Sequence, residues 1–399
     1  MKKNIVYLVL ILSFALNVVI LVFFGKTIYL ESRKIVKQIN NDNKTKSAAN
    51  DFQYFNGLNF NVYGKFHEEE NFSRLPNKYK NNVRSAVWNL SEKSSGISIL
   101  FKTNSPDISI KWKVSKLSEY LNMSKVCTSG LDLYCFIENK WQYVNSGVPL
   151  DYKNEQLLIS DMDTIPKVFL LNLPLYDGVE KIEIGIKNGF KISQDSDHFA
   201  FKKPIVFYGT SITQGGSASR PGLAYPSIIS RNLNIETINL GFSNNGMFEK
   251  IVGNALCEID ASMYIIDCVL NSSPEVIKAS AFELIMQIRN CKPKIPILLV
   301  EGVISEYSYF QKTDKSTFGG LEYIQEQNSE LMNAYNNAIG NGMDNLYYLT
   351  NDGLIGNDHE GTIDGIHLND LGMQRIANKI EQEIVKILEL YKQKTPDNV

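Results

Sequence analysis

A change of period near residue 203 constrains this chain more than any other feature. Upstream, between about residues 51 and 200, short apolar or alternating runs recur between turn residues: SGISILFKT, DISIKWKV, LDLYCFIE, KVFLLNLPLY and KIEIGIKN. Period-two alternation rich in β-branched and aromatic residues marks strands, and a series of them predicts an all-β sandwich. Downstream, apolar runs at 204–208, 236–240, 263–267, 295–300 and 346–349 alternate with helix-length segments at 224–232, 274–290, within 320–339 and at 371–391. Strands alternating with helices predict a parallel sheet covered on both faces, whose ligands bind beyond the carboxyl ends of its strands.

The amino-terminal stretch follows a third rule. Residues 5–24, IVYLVLILSFALNVVILVFF, carry no charge, and a helix rising ~1.5 Å per residue would cover ~30 Å there, the thickness of a bilayer core. The run is longer than a usual export-signal core and FFGK is no small-residue cleavage site, so an uncleaved membrane anchor is expected. Lys2 and Lys3 on one side compete with Lys26, Arg33, Lys34 and Lys37 on the other for the cytoplasmic face. The short basic start, like that of an export signal, favours an extracytoplasmic bulk. The expected organisation is an anchor at 1–24, a polar linker at 25–50, a β domain at 51–200 and an α/β domain at 201–393.

Of the 399 residues, 44% are hydrophobic and 21% charged, which excludes wholesale disorder. A net charge of −2 offers no positive field for a polyphosphate backbone, so no nucleic-acid partner is expected. The five cysteines, with no CxxC pair, match neither a disulfide scaffold nor a zinc ribbon. Their spacing leaves a Cys127–Cys135 bridge open. No zinc spacing, GxxxxGK[ST] or GxGxxG motif is present, so neither metal nor cofactor is expected.

Two short segments carry candidate chemistry. The apolar run PIVFY ends in Gly209-Thr210-Ser211, which places a serine hydroxyl at the carboxyl edge of a buried strand. Residues 361–370 read GTIDGIHLND, with Asp364 and His367 three apart just before the last helix. A nucleophilic serine needs a base, and the base needs a carboxylate to hold its tautomer, so the three residues together could supply nucleophilic catalysis. Each alone also reads as a cap or turn.

GTSITQG and DGIH resemble the first and last blocks of the SGNH (GDSL-like) hydrolases, across about residues 201–393. The resemblance implies a flavodoxin-like three-layer α/β/α domain in which Ser211 attacks an ester, His367 shuttles the proton and Asp364 orients His367. It further implies an oxyanion hole made by the Ser211 N–H, the Asn271 amide at the end of YIIDCVLN, and a backbone N–H in NLGFSNNG. In that last block the family's glycine position falls on Asn244, a departure, with Gly246 as the alternative donor. For Asn271 the competing reading is a cap on the following helix. SGLDLYCF, with Gly130, Asp132, Leu133 and Tyr134, resembles the GxDLY signature of an N-terminal domain joined to such hydrolases.

Arg220 and His359 are candidate substrate-binding residues at the rim, with a surface ion pair and a solvated loop as their respective alternatives. Asp267 and Glu301, at strand ends, read as supporting or capping groups, and Trp88, Trp112 and Trp141 as core. The resemblance implies hydrolysis of O-acetyl or other short acyl esters, on an acylated carbohydrate. An O-acyltransferase, a lipid or thioester hydrolase, and an inactive glycan-binding protein are the alternatives.

Overall fold

The structure is a computed structural model and describes residues 51–195, 198–199, 203–311 and 319–394. The 5–24 run and the polar linker lie outside the described residues, among which no helix is long and apolar enough to cross a membrane.

The amino-terminal part is built from ten strands: β1 (Phe52–Asn56), β2 (Asn61–Tyr63), β3 (Ser98–Thr103), β4 (Ile108–Val114), β5 (Leu131–Ile137), β6 (Lys140–Gly147), β7 (Lys153–Ile159), β8 (Lys167–Asn172), β9 (Val179–Lys187) and β10 (Ile192–Ser193). Two short helices, α1 (Ser85–Ser91) and α2 (Lys125–Ser129), interrupt them. One sheet runs β1-β9-β4-β7; the other runs β10-β3-β8-β5-β6, with β2 also on β3. The alternation read from the sequence is what joins them. Ile108, Ile110, Trp112 and Val114 on β4 turn to one side and meet Ile99, Phe101, Leu131, Leu133, Phe169 and Leu171 of the other sheet in one apolar core.

The carboxyl-terminal part alternates as expected: β11 (Ile205–Gly209), α3 (Ser211–Gln214), α4 (Tyr225–Leu233), β12 (Thr237–Gly241), α5 (Lys250–Glu258), β13 (Met263–Asp267), α6 (Pro274–Cys291), β14 (Ile297–Val300), α7 (Leu321–Gly340), β15 (Leu346–Leu349) and α8 (Asp370–Lys394). The strands are all parallel in the order β12-β11-β13-β14-β15. In chain order that is 2-1-3-4-5, the flavodoxin-like arrangement, with its switch point between β11 and β13. Val206, Tyr208, Tyr264, Ile266, Ile297 and Leu299 pack toward α5, α6 and α7, whereas Ile205, Phe207, Met263, Ile265, Leu298 and Val300 meet α4 and α8. Burial on both faces is why these strands read as continuous apolar runs instead of alternating ones.

The two parts share packing. Leu75, Tyr79, Val83, Val87 and Trp88, which precede most of the β strands, bury in the same cluster as Val206, Tyr208 and Ile238 of the parallel sheet. Cys127 and Cys135 are both free and buried, and a disulfide instead joins Cys257, at the end of α5, to Cys291, at the end of α6. Spacing could not show that pair, because a strand and a helix intervene before the two helix ends meet.

Candidate active site

Ser211 stands where β11 stops. Thr210 caps α3, its hydroxyl accepting from the Ile212 N–H at 3.3 Å while the Thr210 N–H donates to Thr213 Oγ1 at 3.3 Å. Gly209 is required here, since a β-carbon would lie 2.0 Å from Thr213 Oγ1. Beneath the helix, Thr213 Oγ1 donates to Asp267 Oδ2 at 2.9 Å and Tyr225 OH donates to the same oxygen at 3.0 Å. Burial pushes the Asp267 carboxyl up to about 7, against the lowering effect of those two hydrogen bonds. Asp267 thus supports the floor under the serine, as its strand-end position suggested. Ser211 is 7% exposed, and its Oγ makes no hydrogen bond among the described residues.

Asp364 and His367 form a local pair in the loop before α8. His367 Nδ1 lies 2.8 Å from Asp364 Oδ2, while Asp364 Oδ1 accepts the backbone N–H groups of His367 at 2.7 Å and Ile366 at 3.0 Å. Burial alone would raise the Asp364 carboxyl. The His367 N–H, the His367 side chain and charge, and the Ile366 N–H outweigh it and hold the group below its ordinary value. The carboxylate therefore stays ionised, accepting the Nδ1 proton and leaving Nε2 as the ring's basic nitrogen.

The serine and the Asp–His pair reach the same sheet edge through the loop after α3. Gly216 N–H donates to Ser211 O at 2.7 Å, and Ser219 N–H donates to Asp370 Oδ1, at the start of α8, at 2.8 Å. Asn122, from the β-rich part, donates through Nδ2 to Ser217 Oγ at 3.1 Å and to Asp364 Oδ2 at 2.9 Å. The sequence reading missed Asn122. Its partners lie 95 and 242 residues away, and no local pattern announces such a contact.

Candidate oxyanion donors come from three strand ends. Phe242 N–H donates to Gly209 O at 2.9 Å, and Phe242 O in turn accepts Asn245 N–H at 2.9 Å, Gly246 N–H at 3.0 Å and Asn271 Nδ2 at 3.1 Å. Gly246 is thereby corrected as a donor, because its N–H closes this turn; a β-carbon there would lie 1.9 Å from Gly209 O. Asn244 adopts φ +58, a left-handed conformation that asparagine tolerates, and its N–H makes no hydrogen bond among the described residues. Asn271 is buried and keeps its second amide proton after bonding Phe242 O, whereas the helix cap of α6 is Ser273.

The rim residues are placed differently from expectation. Arg220 donates to Asp132 Oδ2 at 2.8 Å and to Tyr134 OH, and its guanidinium lies 4.0 Å from the centroid of the Tyr143 ring. It fastens the loop after α3 to the Asp and Tyr of the GxDLY run and is corrected as a substrate-binding residue. Asp132, fully buried, also accepts the Gly222 N–H and the Asn172 amide, both at 2.8 Å. His359 sits on an exposed turn at φ +63, 3.7 Å from Glu306 and edge-on to Tyr309, in the solvated setting that was its alternative. Glu301 accepts from Tyr348 OH at 2.8 Å and from the Asn351 N–H at 2.8 Å, so it caps a loop. Among the described residues no group of three or more His, Cys, Asp or Glu is placed to hold a metal ion.

Arg74 was also missed. It is fully buried, among the described residues bonds only the carbonyls of Lys93, Leu90, Asn239 and Gly241, and faces the Phe242 ring at 4.9 Å. Burial without a carboxylate lowers its guanidinium to about 9. It braces the end of β12 from which the Phe242–Gly246 turn departs.

Comparison with known proteins places the chain in a family. Residues 202–385 match the GDSL-like lipase/acylhydrolase family, and residues 52–192 match the GxDLY domain, the N-terminus of SGNH-hydrolase-type esterases. A protein from Bacteroides ovatus described as a GDSL-like lipase is 37% identical, with a TM-score of 0.80 over 85% of this chain and 98% of that one. A salicylyl-acyltransferase from a tetracycline biosynthetic pathway shares the fold at 16% identity and a TM-score of 0.69, again over 85% and 98%. An acetyl xylan esterase from the rumen bacterium Butyrivibrio proteoclasticus does so at 13% identity and 0.53, over 85% and 99%. No curated protein matches significantly. Joined to a GxDLY domain and aligned along nearly the whole of the Bacteroides protein, this chain belongs to the GDSL-like (SGNH) lipase/acylhydrolase family and is an ester-hydrolysing enzyme.

Proposed function

We propose that this enzyme removes short acyl groups, chiefly O-acetyl, from a carbohydrate, with Ser211 as nucleophile, His367 as base and Asp364 as its orienting carboxylate. The observation that carries the reading is the Asp364–His367 pair, its carboxylate held below its ordinary value and tied through Asn122 and the head of α8 to the loop that leaves Ser211, while the Asn244 N–H and the second proton of the Asn271 amide, beyond β12 and β13, have no partner among the described residues. Ser211 Oγ attacks the acyl carbonyl as His367 Nε2 takes its proton. The resulting oxyanion is met by the N–H groups of Ser211 and Asn244 and the Asn271 amide. Collapse expels the sugar hydroxyl, which receives the proton from His367, and leaves an acyl-Ser211 ester. Water, deprotonated by His367, then releases the acid and restores the serine. No cofactor enters this cycle.

Acetylated carbohydrate is the substrate class named for the xylan esterase of the same fold. The acyltransferase of that fold makes transfer to a second alcohol the competing outcome. The test is acetate release from a peracetylated sugar and from acetylated xylan, with and without an added sugar acceptor. Free acetate at equal rates in both conditions supports hydrolysis, and acetyl found on the acceptor at the expense of acetate overturns it.

The proposal extends to location. The uncharged run at 5–24 supports a single membrane anchor, and the Cys257–Cys291 disulfide favours an oxidising, extracytoplasmic compartment for the enzyme. Protease added to intact cells is expected to remove activity from the surface; protection until lysis would reverse the orientation.

A further inference from the structure

We propose that Asn122, carried by the GxDLY domain, is a positioning residue of the hydrolase site, a latch that fixes the loop of the nucleophile against the loop of the base. The inference rests on the Ser211, His367 and Asp364 reading above. Three observations lead to it.

The first is the geometry of one amide. Asn122 Nδ2 lies within hydrogen-bond distance of Ser217 Oγ (3.1 Å), Asp364 Oδ2 (2.9 Å) and His367 Nδ1 (3.4 Å). It has two protons. His367 Nδ1 donates to Asp364 and so has no lone pair to offer, which leaves Ser217 and Asp364 as the two acceptors. The amide therefore bridges the segment that leaves Ser211 and the carboxylate that orients the base.

The second is how Asn122 is held. Residues 115–121 leave β4 and are tied down by the buried Asp177, whose carboxylate accepts Ser115 Oγ at 2.8 Å, Lys116 N–H at 3.1 Å and Ser118 N–H at 3.1 Å. Two residues beyond Asn122, Ser124 caps α2 by accepting the Cys127 N–H at 3.0 Å and donates to Ser219 O at 2.6 Å. A side chain fixed between two such anchors loses little freedom when it bonds, so its contacts position their partners.

The third lies at the far end of the bridge. Ser217 is a buried non-glycine residue at φ +71, in the left-handed region that a β-carbon disfavours. The bond from Asn122 is one of the forces that keep the loop in that conformation.

Asparagine suits the place because it donates to Asp364 without adding charge. Among the described residues, charged groups on the elements around the His367 loop include Asp364 itself, Asp370 at the head of α8, and Glu306 and His359 on the neighbouring loops. A carboxylate at 122 would join them within reach of the imidazolium.

The test compares full-length wild type, Asn122→Ala and Asn122→Asp by p-nitrophenyl acetate kinetics across pH, by thermal unfolding, and by NMR titration of the His367 ring. For Asn122→Ala, kcat is expected to fall about 10- to 100-fold with KM within about twofold and little change in melting temperature. For Asn122→Asp, the His367 titration and the acid limb of kcat/KM are both expected to move about one pH unit toward alkaline, because a new opposite charge stabilises the imidazolium. An Asn122→Ala enzyme of wild-type kcat overturns the proposal. So does a His367 midpoint unmoved in Asn122→Asp, or a loss of activity that tracks a lowered melting temperature with the pH profile unchanged. If wild type shows no Ser211-dependent hydrolysis, the proposed function fails, while the His367 titration still decides the role of Asn122.

Discussion

Asn271 and Asn244 show how much can depend on one donor. Asn271 uses one amide proton to hold Phe242 O, and in the proposed mechanism the other is the one that meets the oxyanion. Asn271→Ala is therefore expected to lower kcat by about 100- to 1,000-fold, ~2.7–4 kcal/mol of transition-state stabilisation, with a much smaller change in KM; steady-state ester hydrolysis reads both. In the proposed mechanism Asn244 would donate through its backbone, which stands at φ +58, so there conformation would matter and the side chain would not. Asn244→Gly is expected to keep kcat within about threefold, and Asn244→Val, whose β-branch opposes that φ, to lose most of it. Equal rates in the two variants would remove Asn244 from the oxyanion hole. The candidate residues Ser211, Asp364 and His367 could be picked out because each sits at an element boundary visible in the chain. Asn122 and Arg74 were not, since what makes them matter is a contact made only in the folded molecule. Arg220 was misread for the same reason, its partner Asp132 lying 88 residues away on β5.

At the scale of elements, strands buried on both sides were the easiest to read. Ile205–Gly209, Thr237–Gly241 and Met263–Asp267 are buried throughout, and each stood out as an apolar run. The strand Lys140–Gly147 buries only Gly147 and the strand Lys153–Ile159 only Asn154 and Leu158, so their polar composition hid them. Helix Lys250–Glu258 escaped because a nine-residue helix offers a short apolar stripe, and it buries only Val252, Gly253, Ala255 and Leu256. The junction of β2 with β12 carries a titrating group. Glu236, just before β12, accepts the Gly64 N–H at 2.9 Å, and burial raises its carboxyl to about 7 despite that bond. A carboxyl raised on folding binds its proton more tightly in the native state, so its contribution is present below the unfolded value near 4.5 and is lost as pH climbs through 7. The melting temperature of Glu236→Gln, relative to wild type, is accordingly expected to rise steadily between pH 5 and pH 8. A constant difference across that window would mean that Glu236 is not the group responsible.

Across the whole molecule, the GxDLY domain acts as part of the enzyme. Its Asp132 and Tyr134 hold Arg220, its Arg74 braces β12, and residues of α1 and the segment before it bury against the parallel sheet. Asp132 is fully buried and accepts from Arg220, the Gly222 N–H and the Asn172 amide, so Asp132→Ala removes the carboxylate from Arg220 and leaves the Gly222 N–H and the Asn172 amide without their acceptor. The expected cost is about 3 kcal/mol or more, measured by denaturant unfolding, with one cooperative transition retained. A change within ±0.5 kcal/mol would mean that the clamp is dispensable. The two-part organisation was legible in the change of period; the joint between the parts was not, because its residues are scattered from Arg74 to Arg220. The central claim concerns Ser211, and trapping its acyl intermediate tests it most directly. Wild-type enzyme mixed with p-nitrophenyl acetate, quenched in acid within one turnover and digested, should carry one acetyl group on the peptide containing Ser211, and Ser211→Ala should carry none. Acetyl on another residue, or p-nitrophenol released at the wild-type rate by Ser211→Ala, would contradict the account.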